Sequence, residues 1–184
     1  MSIDYYREAN FGTANWAIAT KQAPLPKTFP GVWRRDTLPY NGRARWVSKA
    51  PLIATPVASA RLVASAPTGN GRRIRIALSP GGGDSVAIRF PESANVVALG
   101  LPGQAVPVPA DGQPKKAALR CTGRSCEGLV IEAVLENAHP ITVELYSTRF
   151  GLPPQGTPLV AARPRNAIPQ YAPDSTITRS HVKL

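Results

Sequence analysis

Few side chains in this sequence are equipped for covalent or acid–base chemistry: two cysteines, two histidines and 11 carboxylates among 184 residues. Cys121 and Cys126 bracket the segment TGRS. A zinc site would need further Cys or His ligands beside them, and only His139 and His181 exist. No metal site is therefore expected in the chain. An even pair this close reads as a disulfide closing a small hairpin loop, which an oxidising compartment permits. Two reduced thiols in a cytosolic protein are the alternative.

Nucleophilic catalysis needs a base within hydrogen-bond reach of a Ser or Cys, usually a histidine oriented by a carboxylate. His139 precedes a proline in a predicted turn, and His181 stands three residues from the C-terminus, where chains commonly fray. No catalytic residue is expected from either. Paired-carboxylate chemistry needs two acids facing one cleft, whereas Glu132, Glu136 and Glu144 fall on predicted solvent faces of adjacent strands, suited to cross-strand pairing with basic residues. The glycines of SPGGGDS precede a predicted strand, and a phosphate cradle requires a helix N-terminus there. A hairpin turn accounts for them. One cluster remains as a possible interaction surface: Trp33, Arg34, Arg35, Tyr40, Arg43, Arg45 and Trp46. It also fits a segment whose tryptophans are buried and whose arginines are solvated.

These residues must be positioned by strands. The 20 prolines are about twice the usual share of ~5%, and proline fixes φ and removes a donor. Residues 1–55 carry KQAPLPKTFPG and RRDTLPYNGR with little periodicity. They are expected to form an extended proline- and tryptophan-containing strap or linker packed on the domain, with short strands near Ala14 to Thr20 and Ala44 to Ala50. From residue 56 the pattern turns to period two. Val57 to Ala66 leads into the turn PTGNG; Ile74, Ile76 and Leu78 then alternate with Arg73 and Arg75, and Val86, Ile88 and Phe90 read as the hairpin partner across SPGGGDS. Asn95 to Leu101, an edge-like piece broken by Pro107 and Pro109, the turn ADGQP and a strand from Lys115 to Cys121 follow. Leu129 to Glu136 and Ile141 to Tyr146 alternate most regularly, and PLVAARP is a candidate last strand. Short strands at such spacing predict an all-β protein, an antiparallel β-sandwich of jelly-roll or immunoglobulin-like topology over residues 56–184.

The formal charge of +11 is uneven, with 12 Lys+Arg against 3 Asp+Glu in residues 1–81 and 10 against 8 thereafter. Such a bias attracts nucleic acid, anionic lipid or acidic protein. An Ala-, Gly- and Pro-rich chain with 16 arginines among its 22 basic residues is also what a GC-rich genome produces without selection for a ligand. No run of about 18 apolar residues spans a bilayer, and Met1 is not followed by an export signal, so passage out of the cytoplasm would depend on sequence upstream.

The segments ANWAIAT, RARWVSKAP, CTGRSCEGLVIEAVL and LYSTRFGLPPQGTPLVAARPRNAIPQYAPDSTI resemble the C-terminal region of bacterial membrane-anchored zinc aminopeptidases, relatives of the vacuolar membrane protease and the endoplasmic-reticulum metallopeptidase. The resemblance implies a soluble β-rich domain following a di-zinc peptidase domain and a set of transmembrane helices. The family's zinc ligands and acid/base glutamate belong to the peptidase domain and match nothing here. The function it implies is a noncatalytic accessory domain at the periplasmic face of the inner membrane, without cofactor of its own, whose partners are the peptidase domain and the membrane of the parent protein. Nucleic acid is not an expected partner. The alternatives are a carbohydrate- or ligand-binding sandwich with Trp33, Tyr40 and Trp46 as platform, and a basic nucleic-acid binder.

Overall fold

In a computed structural model, residues 1–20, 25–109, 117–165, 167 and 172–184 are described. They form β1 (Ser2–Glu8), β2 (Thr13–Ala19), β3 (Arg34–Leu38), β4 (Asn41–Lys49), β5 (Ser59–Thr68), β6 (Gly71–Ser79), β7 (Ser85–Arg89), β8 (Val96–Leu101), β9 (Gln104–Pro107), β10 (Ala118–Thr122), β11 (Leu129–Leu135), β12 (Thr142–Phe150), a short helix α1 (Thr157–Ala162) and β13 (Ser175–Lys183). The protein is an all-β, antiparallel-rich β-sandwich. Its chain divides into two units, residues 1–55 with 148–179, and residues 56–147 with 180–184.

The second unit is built by the alternation visible in the sequence. Ile74, Ile76 and Leu78 on β6 pair across Ala133, Ile131 and Leu129, respectively, on β11. Ile74, Ile76, Leu78, Ile131 and Ala133 are buried in one core with Val86, Ile88, Phe90, Val143 and Leu145. Each of these side chains except Ala133, taken from water, contributes roughly 1.5–3 kcal/mol. One sheet of this unit runs β5–β6–β11–β8–β9; β7 lies between β10 and β12 on the other side of the core.

This arrangement corrects the expected hairpin across SPGGGDS. β6 pairs with β5 and β11, while β7 pairs with β10. Both strands carry apolar side chains every second position, and they face each other across the core instead of sharing a sheet. The glycines serve the crossing: Gly81 has φ +63, and a Cβ there would sit 2.0 Å from the Val57 carbonyl oxygen. The loop after β10 is likewise no hairpin, because β10 and β11 belong to different sheets. The turn ADGQP and the beginning of the strand expected at Lys115 lie outside the described residues.

In the first unit the strand order is β13–β1–β2–β4–β3. β1 pairs antiparallel with β2 and parallel with β13. Residues 1–55, expected to be a strap with two short strands, thus supply four strands. One face of this sheet packs Ile3, Tyr5, Trp16 and Ile18 against Phe29 and Leu159, with Tyr5 and Trp16 edge to face at 5.2 Å. Tyr5 also donates its hydroxyl to the Pro51 carbonyl at 2.9 Å and accepts the Ile53 N–H at 3.0 Å. PLVAARP, expected as a last strand, is mostly helical instead. Pro158 falls in the first turn of α1, where its missing N–H leaves nothing unsatisfied, and Leu159 turns inward to the core.

Candidate functional site

The residues singled out by type converge on the β3–β4 hairpin, but they do not form one surface. The register opposes Arg35 to Trp46 and Asp36 to Arg45. Arg35 lies over the Trp46 ring at 5.3 Å and donates to the Ala44 carbonyl at 3.1 Å. Trp33 packs edge to face on Phe29 at 6.2 Å, with its indole N–H donated to the Pro30 carbonyl. Both indoles are partly buried against the first unit's core. Arg34 and Arg43 are exposed, and Arg34 pairs with Asp36 at 3.0 Å.

Tyr40 and Arg45 turn the opposite way, into a polar cluster that the sequence did not announce. Asp4 is only 4% exposed. Its Oδ2 accepts the Tyr40 hydroxyl at 2.7 Å and Arg45 Nη1 at 2.6 Å. Burial pushes the Asp4 carboxyl above its ordinary 3.8, outweighing the Tyr40 hydrogen bond and the Arg45 charge that pull it down. Burial, and next the Asp4 charge, push the Tyr40 phenol well above its ordinary range. Tyr6 stacks on Tyr40 at 5.2 Å and donates to Glu8 Oε1, which also accepts Arg179 Nη1 at 3.0 Å. Asp4, Tyr6 and Glu8 sit at every second position of β1, so one strand face is buried through ion pairs while the other is buried through apolar contact.

The expected glutamate roles are refined in the second unit. Glu132 stands opposite Arg75 on β6 and accepts its Nε at 3.0 Å. Glu132 is nevertheless 4% exposed, which corrects its expected place on a solvent face: Arg73 and Arg75 lie over it. Glu136 accepts the Asn95 side-chain amide. Glu144 accepts the Tyr146 hydroxyl at 2.8 Å, and Arg89 lies 3.9 Å from it and over the Tyr146 ring.

Of the two histidines, His139 lies in the loop before β12, whereas His181 belongs to β13 instead of a frayed end. His181 lines an open cleft of about 310 Å³ with Phe90, Glu92, Ser93, Thr142 and Glu144. Among the described residues, no three His, Cys, Asp or Glu side chains are grouped to hold a metal ion.

Cys121 and Cys126 form a disulfide, with Cα atoms 5.6 Å apart. It clips the crossing from β10 to the opposite sheet, and Cys126 is fully buried in the second unit's core. No helix of the described residues is long and apolar enough to cross a membrane. No protein-family model, curated protein or solved structure matches the chain.

Proposed function

We propose that this chain is a noncatalytic, extracytoplasmic β-sandwich module that accompanies a membrane-anchored zinc aminopeptidase and stabilises or orients it. The observation that carries the noncatalytic part is the use made of the buried carboxylates. Asp4, Glu8 and Glu132 each face an arginine from another strand, so their charges tie strands together in place of holding or moving a proton for a substrate. The family resemblance supports the parent enzyme, and zinc belongs to the parent's peptidase domain. The disulfide supports an oxidising compartment.

The test is made on the purified chain. Its melting temperature is expected to be the same with and without a metal chelator, and it is expected to release no product from aminoacyl substrates when zinc is supplied. Hydrolysis that depends on metal overturns the proposal. Hydrolysis that survives chelation but disappears in His181→Gln also overturns it, and moves the function to the cleft beside Glu144. In the full-length parent peptidase, deletion of the module is expected to lower the melting temperature while leaving zinc content unchanged; an unaltered melt removes the stabilising role.

A further inference from the structure

The second unit's five-stranded sheet ends at β5, a strand of 10 residues, none of which is fully buried. Among the described residues only β6 pairs with it, so one side of its backbone carries no ladder, and an exposed edge of this length is a template for a further strand. The opposite edge of the sheet is less open: β9 has 4 residues and ends in Pro107, which has no N–H to donate. Between Ser59 and Ala66 every side chain of β5 is Ala or Ser except Arg61, Leu62 and Val63. Leu62 stands opposite the buried Ile76 yet is 37% exposed, because no strand lies beyond it. On the other face Arg61 stands opposite Ala77, and on that same face Arg75 and Arg73 stand opposite Ala64 and Ala66. Glu132 is the one carboxylate on the five strands of this sheet, and it lies buried beneath Arg73 and Arg75. Arg61 is exposed, and among the described residues it has no hydrogen bond or ion pair.

We propose that β5 is a docking edge for an extended acidic segment of another polypeptide, which joins the sheet as a further strand with a carboxylate beside Arg61 and an apolar side chain against Leu62. Two independent features point to this occupant. Unpaired backbone groups along a strand are satisfied by an extended polypeptide in a way that nucleic acid or lipid does not reproduce. A neighbouring strand places its side chains about 4.5–5.5 Å from their cross-strand partners, so a carboxylate there meets the Arg61 charge directly, and no exposed carboxylate on these strands repels it. Because side chains alternate between faces, the segment that fits alternates acidic and apolar residues. A second copy of β5 fits poorly. It would bring its own Arg61 to an already cationic face, and the bulge at Val63 would have to be matched by another on the partner strand. The inference concerns this edge alone and is independent of the peptidase reading.

The experiment is fluorescence anisotropy of a labelled, end-capped peptide alternating glutamate with valine over about eight residues, an ordinary strand length, titrated with the purified chain. Saturable binding is expected that weakens as salt is raised, with no binding of the counterpart alternating lysine with valine. Arg61→Glu is expected to weaken binding about tenfold, since it turns an attractive cross-strand pair into a repulsive one, at an unchanged melting temperature. A copy of the peptide N-methylated at every residue keeps its charges but has no N–H to donate, and is expected to bind about tenfold more weakly or not at all. In hydrogen exchange, the bound peptide should slow amides within Ser59–Thr68 and leave those of Gln104–Pro107 unaltered. Absence of binding to the acidic peptide overturns the proposal, as does equal binding of its lysine counterpart or of the N-methylated copy. So does an Arg61→Glu variant that binds as the unaltered chain does, or protection that arises away from β5. A chain that is dimeric without peptide, with its β5 amides protected in the dimer, assigns the edge to a second copy and overturns it too.

Discussion

Arg45 carries more of the first unit's integrity than its surface-type chemistry suggests. It reaches Asp4 from β4 with both side chains largely withdrawn from water, and removing one partner of such a pair leaves the other charge uncompensated. Arg45→Met is therefore expected to cost about 3 kcal/mol in urea unfolding. Asp4→Asn is expected to cost less, because the amide oxygen still accepts the Tyr40 hydroxyl. Asp4 also has a signature in acid. Its folded carboxyl holds a proton above the ordinary 3.8, so the native state binds that proton where the unfolded chain has released it, and Asp4's contribution to stability falls as pH rises from 3.8 through the raised value. Asp36 has the opposite sign. The Thr37 N–H, and then Arg34, hold it below 3.8, so its contribution is present above that value and is lost as pH falls through the depressed one. The melting temperature of the unaltered chain minus that of Asp4→Asn isolates the first effect and should decline across the window just above pH 3.8. At the alkaline end, burial holds Tyr5 and Tyr40 protonated above the ordinary phenol value of 10.0. Their contribution is present below pH 10 and lost above it. Ultraviolet titration should accordingly find Tyr5 and Tyr40 ionising late, with unfolding.

Among the elements, the β5–β6 turn offers the sharpest steric test. A Cβ on Gly71 would lie 1.9 Å from the Leu135 carbonyl oxygen, a backbone atom with no room to swing aside. Gly71→Ala should cost about 2–3 kcal/mol through strand displacement, measurable as a lower urea midpoint. Gly69→Ala meets no neighbouring atom and strains only its own backbone at φ +50, so its loss should be smaller. The disulfide spans a sequence separation of 5, and closure entropy for so short a loop amounts to about 2 kcal/mol. Reduction is expected to lower the melting temperature accordingly without abolishing the fold. The same strands mark how far the sequence could be read. β6, β11 and β12 were legible because one face is apolar and the other is not. β1 was not, because Asp4, Tyr6 and Glu8 bury its second face by ion pairs and hydrogen bonds, leaving no polar-out alternation to see. The partners of β6 and β7 were illegible for another reason: alternation states which side chains point inward, but not from which sheet. The helix over Thr157–Ala162 escaped notice because six residues are too few to display a helical period. At the candidate site, the arginines and tryptophans of the hairpin were visible by type. Their separation into stacked, buried and exposed members depends on partners elsewhere in the chain, such as Asp4, some 40 positions before Arg45.

At the scale of the molecule, both units are assembled from distant parts of the sequence. β1 takes β13 as its parallel neighbour, and the Ile3 N–H bonds an Asp174 carboxylate oxygen 171 residues away. In the second unit, Ile141 exchanges both backbone hydrogen bonds with Leu184. Removing residues 175–184 should therefore take β13, to which both units contribute, and broaden or abolish the cooperative melt, as calorimetry would register. There is a consequence for biosynthesis. A ribosome releases Ser2–Glu8 well before its parallel neighbour, so β1 must wait, with a carboxylate-bearing face unsheltered, until Ser175–Lys183 has emerged. A premature stop upstream of Ser175 would leave that strand permanently unaccompanied, a substrate for quality-control proteases instead of a shortened but serviceable domain.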